Sequence, residues 1–253
     1  MNRLVDALAV EARKARSSRV LWWTGALFVL GVTGLASAMV AAARSGDTEI
    51  VAKIGPQAAT GDWAAMLTVA AQITSAAGVL AFGVGISWLT GREFADGTIA
   101  GLFGLPVSRS ATAAAKLVVF IGWAVGVAAA LTVLLLAAGF AIGLGTPDAN
   151  AIAGLGRQLA LGALTALIAT PAGWAASIGR GLLPGIAVTV GILVIAQVSV
   201  LADFAAWVPI VAPAFWAIHP DAGTSIALVA VPSVPLIFGA ATIVAWQRLQ
   251  LDR

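Results

Sequence analysis

Residues 91–116 read GREFADGTIAGLFGLPVSRSATAAAK, and this stretch separates two long, strongly apolar segments of the chain. Its charged residues have both signs and are Arg92, Glu93, Asp96, Arg109 and Lys116. Pro106 lies between the two groups of charges and cannot continue a helix without losing a backbone hydrogen bond. The apolar segments on either side are long enough to cross a bilayer. The stretch is therefore predicted to be a water-exposed connection, residues 91–115, inside a membrane protein.

The composition of the whole chain supports a membrane environment. Of its 253 residues, 60% are hydrophobic and 10% are charged, whereas soluble domains carry about 25% charged residues. The absence of cysteine excludes disulfides and thiolate metal sites, and a single histidine, His219, is too few for a histidine-built metal centre. The basic residues do not form one patch, so nucleic acid is not an expected partner. We expect a single transmembrane domain, 1–253, in a lipid bilayer.

Six apolar segments predict an all-α membrane protein with six transmembrane helices. Each has about the length that a helix needs to cross the hydrocarbon core. The predicted spans are residues 20–43, 64–90, 116–144, 158–178, 184–201 and 225–246.

Residues 1–19 precede the first span and are rich in arginine. Leu4, Val5 and Leu8 recur at helical spacing opposite the basic positions, which predicts an amphipathic helix lying at the membrane interface. A charged tail that only orients the first span is the alternative.

The distribution of basic residues predicts the orientation. With the N-terminus inside, eleven of the 14 lysines and arginines fall on inside segments, and only Arg44, Lys53 and Arg157 fall outside. Cytoplasmic loops carry this excess in membrane proteins. We therefore expect a multi-pass protein of the plasma membrane with both termini and residues 91–115 in the cytoplasm.

The external segment 202–224 is too apolar for a free loop and is interrupted by Pro209, Pro213 and Pro220. It is too short for another span. We expect a re-entrant or interfacial pair of short helices.

Enzymatic chemistry is not indicated. No lysine follows a glycine, so the chain lacks a phosphate-binding loop, and no pair of carboxylates falls inside the predicted spans. The polar groups there are neutral, and we consider Gln72, Thr74, Ser75 and Gln197 as possible substrate-path residues. Hydrogen bonds between helices are the alternative role. Energy for transport would then come from outside the chain.

The stretch 91–116 also resembles a motif of the ABC-2 type transporter permeases. In that family a Glu-x-x-x-Gly-Thr segment follows the second span, and a Leu-Pro-x-Ser-Arg turn and a lysine lead into the third. The matching residues here are Glu93, Gly97, Thr98, Leu105, Pro106, Ser108, Arg109 and Lys116.

The resemblance implies a permease subunit that works with a second permease, identical or different, and with two ATP-binding-cassette ATPase subunits. This chain would bind no cofactor, and ATP and Mg²⁺ would bind the ATPase. A coupling helix between the second and third spans and a shorter contact between the fourth and fifth would dock on the ATPase. The implied coupling residues are Arg92, Glu93, Phe94, Asp96, Gly97, Thr98, Leu105, Pro106, Arg109 and Arg180. Arg109 and Lys116 could equally be cytoplasmic anchors.

The function that we expect is ATP-driven export of a hydrophobic or amphipathic substrate by alternating access. The alternative is a stand-alone secondary transporter or a membrane scaffold. A neighbouring reading frame that encodes an ATP-binding subunit would favour the first of these functions over the alternatives.

Overall fold

The computed structural model describes residues 3–45, 49, 60–104, 106–200 and 208–250. The regular elements in these ranges are helices, together with a short 3₁₀ turn at Leu228–Ala230. We number the α-helices in chain order: α1 Arg3–Arg16, α2 Arg19–Arg44, α3 Trp63–Ala95, α4 Ile99–Leu102, α5 Arg109–Ala141, α6 Ala149–Ile168, α7 Thr170–Ile178, α8 Leu182–Val200, α9 Ala212–Ile218, α10 Ala222–Ala227 and α11 Ser233–Gln247.

Six helical segments in the described part of the chain are long and apolar enough to cross a membrane. They are Arg19–Arg44, Trp63–Ala95, Arg109–Ala141, Ala149–Ile178, Leu182–Ser199 and Gly223–Gln247. The predicted all-helical class with six spans is therefore confirmed. The fourth span is formed by α6 and α7 in succession, and the sixth joins α10 to α11.

Polar caps determine where the spans begin. Ser108 Oγ accepts a hydrogen bond from the Ala111 amide (3.2 Å), and Asp148 Oδ1 accepts one from the Ala151 amide (2.8 Å). Such side chains satisfy backbone amides that have no partner within the first turn. The helices of the third and fourth spans, α5 and α6, consequently start at residues 109 and 149, whereas the predicted spans start at residues 116 and 158.

Helix α3 lies at the centre of the bundle, where it packs against α2, α6, α7 and α8. Its apolar side chains are buried, as expected for a helix surrounded by other helices. Phe82 is fully buried, and its ring lies 5.5 Å from Phe28 of α2 and 5.9 Å from Trp123 of α5. These rings join the first three spans.

The C-terminal part of α3 passes very close to the turn that connects α7 to α8. A Cβ atom on Gly91 would lie 2.8 Å from the carbonyl oxygen of Gly181. The preceding Arg180 has φ +51°, which turns the chain sharply between the fourth and fifth spans. The last turns of α3, which lead into the loop after Ala95, therefore pack directly against the turn between the fourth and fifth spans.

The flanking segments are helical as well. Helix α1 forms as predicted, with Ala7 and Glu11 buried and Leu4 and Val5 exposed; its position at the membrane interface stays a prediction. The described part of segment 202–224 contains α9 and the start of α10. Residues 201–207 lie outside the described residues, and the re-entrant path stays a prediction.

Gly91→Ala is expected to lower the free energy of unfolding by about 1–3 kcal/mol, because its methyl group would collide with backbone rather than with a movable side chain. Unfolding of the purified chain in detergent, followed by circular dichroism, measures the change. The matched control is Gly122→Ala, also in a span, where nothing lies within 4 Å of the added carbon. Equal stabilities of the two variants would contradict the close approach.

Candidate functional site: a buried ion cluster at the basic face

Both described ends of the chain lie at the same end of the bundle, because the six spans make an even number of crossings. We call this end the basic face and define it as α1 together with residues 92–109, 179–181 and 248–250. It contains most residues of the predicted coupling set.

Four charged side chains from three helices meet at the basic face in what we call the ion cluster. Lys116 Nζ of α5 lies 2.8 Å from Glu11 Oε2 of α1 and 2.6 Å from Glu93 Oε1 of α3. Lys14 Nζ lies 2.7 Å from Glu11 Oε1 and 3.1 Å from Glu93 Oε1. Each lysine therefore contacts both carboxylates.

Burial makes the pairing of these charges obligatory. Lys116, Glu11 and Glu93 are 1%, 2% and 3% exposed, and Lys14 is half-buried at the edge. Burial alone would lower the pKa of Lys14, but the hydrogen bond and charge of Glu11, and then those of Glu93, raise it above the ordinary value. Lys14 therefore keeps its charge at neutral pH.

The last span reaches the ion cluster through Trp246, which is 1% exposed. Its ring lies 5.4 Å from Lys116 Nζ and 5.8 Å from the ring of Phe94, in an edge-on arrangement. Its Nε1 donates a hydrogen bond to Ser177 Oγ at the end of α7 (3.0 Å). A single indole thus connects the second, third, fourth and sixth spans.

Two predicted coupling arginines hold the residues that follow α11. Arg109 Nη1 donates to the carbonyl oxygen of Leu249, and Arg180 Nη2 donates to that of Gln250 (3.2 Å). The guanidinium of Arg109 also lies 4.9 Å from the centre of the Phe103 ring. The structure therefore brings both loops of the basic face to the C-terminal segment.

The other predicted coupling residues belong to the segment between the second and third spans, and most of them are exposed or partly exposed. Arg92 stacks 4.4 Å above the Trp88 ring and lies 3.8 Å from the exposed Asp96. Phe94 is half-buried against Trp246. The remaining exposed members of the set are Gly97, Thr98 and Pro106. Leu105 lies outside the described residues.

The four possible substrate-path residues are in different environments. Thr74 is buried and accepts a hydrogen bond from Gln158 Nε2 (2.7 Å), and Ser75 donates to the Ala71 carbonyl (2.7 Å). Gln72 and Gln197 are exposed on the outside of the chain. Thr74 therefore makes an interhelical hydrogen bond, which was the alternative role.

The ion cluster includes residues that sequence reasoning did not select. The sequence patterns do not single out Glu11 or Lys14, nor Trp246, which contacts the cluster. One signal was present in the sequence: Glu11 is an acidic residue among arginines, three positions before Lys14, which is the spacing of paired residues on a helix. Its contact with Lys116, far along the chain, has no comparable signal.

The arrangement suits mechanical linkage rather than catalysis. In the described ranges, no group of three histidine, aspartate or glutamate side chains could hold a metal ion. The charges are paired with one another instead of facing a substrate.

The comparison with known protein families identifies the chain. Residues 7–197 match the family described as ABC-2 family transporter protein. The chain belongs to this family. No curated protein matches it. The ABC-2 match includes all four members of the ion cluster, whereas Trp246 and the C-terminal segment lie beyond it. Membership makes the chain a membrane permease component of a transporter that works with ATPase partners.

Lys116→Met is expected to lower the free energy of unfolding by about 3–5 kcal/mol, because it leaves two buried carboxylates with only Lys14 to balance them. Adding Glu93→Gln removes one of those carboxylates and leaves the Glu11–Lys14 pair. The double variant should therefore recover about 1–3 kcal/mol relative to the sum of the two single changes. Unfolding in mixed detergent micelles measures the free energy of unfolding of the wild type, the two single variants and the double variant.

The exposed pair Arg92–Asp96 provides a matched control, with Arg92→Met and Asp96→Asn as the two changes. Its coupling should be about 0.3–0.5 kcal/mol, as for other pairs one helical turn apart. Additive effects at Glu93 and Lys116 would show that their charges do not depend on each other.

Proposed function

We propose that the chain is the membrane-spanning permease subunit of an ATP-driven exporter, in a complex with two ATP-binding subunits and a second permease. ATP and Mg²⁺ would bind the ATPase subunits. The observation that supports this proposal is the position of residues 92–109. They form a largely exposed segment, and the buried Glu93–Lys116 pair joins the helices α3 and α5 on either side of it.

The exposed part of the segment offers the chemistry of a docking surface. Phe103 is 38% exposed, although an aromatic ring is favoured in a buried contact. Asp96 and Thr98 are exposed beside it, and Gly97 has φ +68°, which ends α3 and redirects the chain. A partner with an apolar groove and basic residues at its rim would fit this surface.

The buried part of the segment would transmit the movement. Glu93 faces inward, so its role in coupling is to hold the second and third spans to α1 and not to contact the ATPase. Gly91 lies directly against the backbone of Gly181, which is within the second predicted contact with the ATPase, residues 179–183. A displacement of residues 92–109 would therefore move both loops and several spans together.

The proposed orientation places the basic face in the cytoplasm of a plasma-membrane protein. Arg13, Arg16, Arg92, Arg109, Arg180 and Arg248 are on this side. The opposite end of the bundle has Arg44 and Arg157 among its described residues. The excess of arginine supports the assignment, since short cytoplasmic loops attract basic residues. It also places the docking segment in the compartment that contains ATP.

The substrate is proposed to be hydrophobic or amphipathic and to move by alternating access between the two permeases. Because Gln72 and Gln197 are exposed on the second and fifth spans, they remain the substrate-path candidates. They could contact a substrate only where another subunit covers them. Thr74 is occupied by Gln158 within the chain.

An affinity-tagged chain purified from its native membranes is expected to carry an ATP-binding protein with a phosphate-binding loop, which mass spectrometry would identify. The double change Asp96→Lys with Phe103→Ala should weaken retention of that protein about tenfold, or about 1.4 kcal/mol, because it reverses a charge and removes the exposed ring. Ser45→Ala, an exposed position on the opposite end of the bundle, is the control.

Both changes are on exposed side chains whose contacts with Arg92 and Arg109 are weak, so the melting temperature of the isolated permease should change little. Unaltered retention and ATPase activity would show that the segment is not the docking surface. Transport by the reconstituted chain on an ion gradient alone would instead support a secondary transporter.

A further inference from the structure

A polar cavity of about 380 Å³ opens at the end of the bundle opposite the basic face. It lies between the N-terminal ends of α3 and α6 and the short helix α9, and its apolar walls include Trp63 and Ile218. Charged and polar side chains occur at three levels. Asp62 and Asp148 lie at the mouth, Arg157 lies below them, and Gln158 lies on the buried side.

Arg157 is an unusual charge for its position. It is in α6, about 13 Å along the helix axis from the capping Asp148, and is half-buried within the fourth span. No residue in the described part of the chain forms an ion pair with it. Its guanidinium Nη2 would lie 3.6 Å from a Cβ on Gly154, so the side chain runs back toward the mouth. Charges inside spans face cavities or partners, because hydrocarbon cannot solvate them.

Gln158 provides an independent sign that the cavity takes a ligand. It is 2% exposed, and its Nε2 is used in the hydrogen bond to Thr74. Its Oε1 is enclosed and has no hydrogen-bond partner among the described residues, and other atoms of Gln158 line the cavity. Buried acceptors in folded proteins nearly always have a donor. A donor on a molecule inside the cavity would satisfy this one if the amide turned toward the cavity, because the oxygen is enclosed in the observed conformation.

The two carboxylates at the mouth serve the fold as helix caps. Asp62 Oδ1 caps α3 by accepting from the Ala65 amide (2.9 Å), and Asp148 caps α6 in the same way. Neither forms an ion pair within the described ranges. A simple anion that approached Arg157 would pass both carboxylates, and a simple cation would leave Arg157 unpaired.

We propose that this cavity binds a zwitterionic ligand, with its anionic group on Arg157 and its ammonium group between Asp62 and Asp148. The order of charges, with the anion deeper and the ammonium outermost, is that of an ethanolamine phosphate headgroup entering from the membrane side. The same chemistry is available from the lipid phosphatidylethanolamine and from free phosphoethanolamine. The site is separate from the coupling surface and does not depend on the proposed ATP-driven export.

Binding can be measured on the full chain without any ATPase. In one arm, the chain is placed in phosphatidylglycerol nanodiscs and titrated with radiolabelled phosphoethanolamine, ethanolamine or glycerol phosphate. In the other arm, native mass spectrometry counts the phosphatidylethanolamine retained from nanodiscs that contain it in equal amount with phosphatidylcholine. We expect one of the zwitterionic molecules to bind at least tenfold more tightly than the probes with a single charge, or than phosphatidylcholine in the lipid arm.

The variants separate charge from folding. The Asp62→Asn and Asp148→Asn double variant removes both negative charges and keeps both caps, since asparagine caps helices as well as aspartate. Arg157→Met removes the positive charge, and Arg157→Lys keeps it. We expect at least a tenfold loss of binding for the first two and partial retention for the lysine variant. Arg44→Met removes a charge from the same end of the bundle outside the cavity and should bind like the wild type.

The two arms also identify the source of the ligand. Selective binding in the lipid arm alone indicates a lipid headgroup site, and selective binding of phosphoethanolamine indicates a soluble zwitterion. Binding that is equal for single-charge probes, or that is unchanged in both the asparagine double variant and Arg157→Met, overturns the proposal. So does the absence of selective binding in both arms. Should Arg157→Met fail to fold, the asparagine double variant decides alone.

Discussion

Lys116 is a buried cation that cannot be stable in this fold without the two carboxylates beside it. Its side chain is 1% exposed, and Glu11 and Glu93 contact it from two other helices. Removing any one of these charges would leave another without compensation in a medium that solvates ions poorly. The positions of α1, α3 and α5 at the basic face therefore depend on one another. Few large apolar side chains of α1 are buried, so charge pairing has a large part in its placement.

Because Glu93 and Lys116 must pair, residues in and beside the segment between the second and third spans have two different roles. Glu93 and Lys116 face inward and join the helices, whereas Asp96 and Phe103 remain exposed. A motif that appears in the sequence as one polar interval thus contains an internal support and an external surface. Rigid attachment of this kind is what a membrane permease needs if a partner is to move its spans. A loosely attached loop would absorb the displacement.

The spans could be predicted from sequence because bilayer thickness requires long apolar segments, and each of the six has one. The helix ends could not be predicted from hydropathy, because Ser108 and Asp148 begin helices through hydrogen bonds that hydropathy does not represent. Locating these caps would have placed Arg157 inside a helix instead of in an external loop. The ion cluster was beyond sequence reasoning, since Glu11 and Lys116 are 105 positions apart and only the packing of α1 on α5 brings them together.

Charged side chains form ion pairs at one end of the bundle but not around the cavity at the other end. At the basic face, buried charges form ion pairs with one another within the chain, although Glu93 Oε2 has no hydrogen-bond partner among the described residues. At the other end, Arg157, Asp62 and Asp148 surround a cavity without forming ion pairs in the described part of the chain. Helix capping requires an oxygen acceptor but not a full charge, and packing requires no arginine within a span. Structural roles therefore account for the side chains at the basic face, but not for the charges around the cavity.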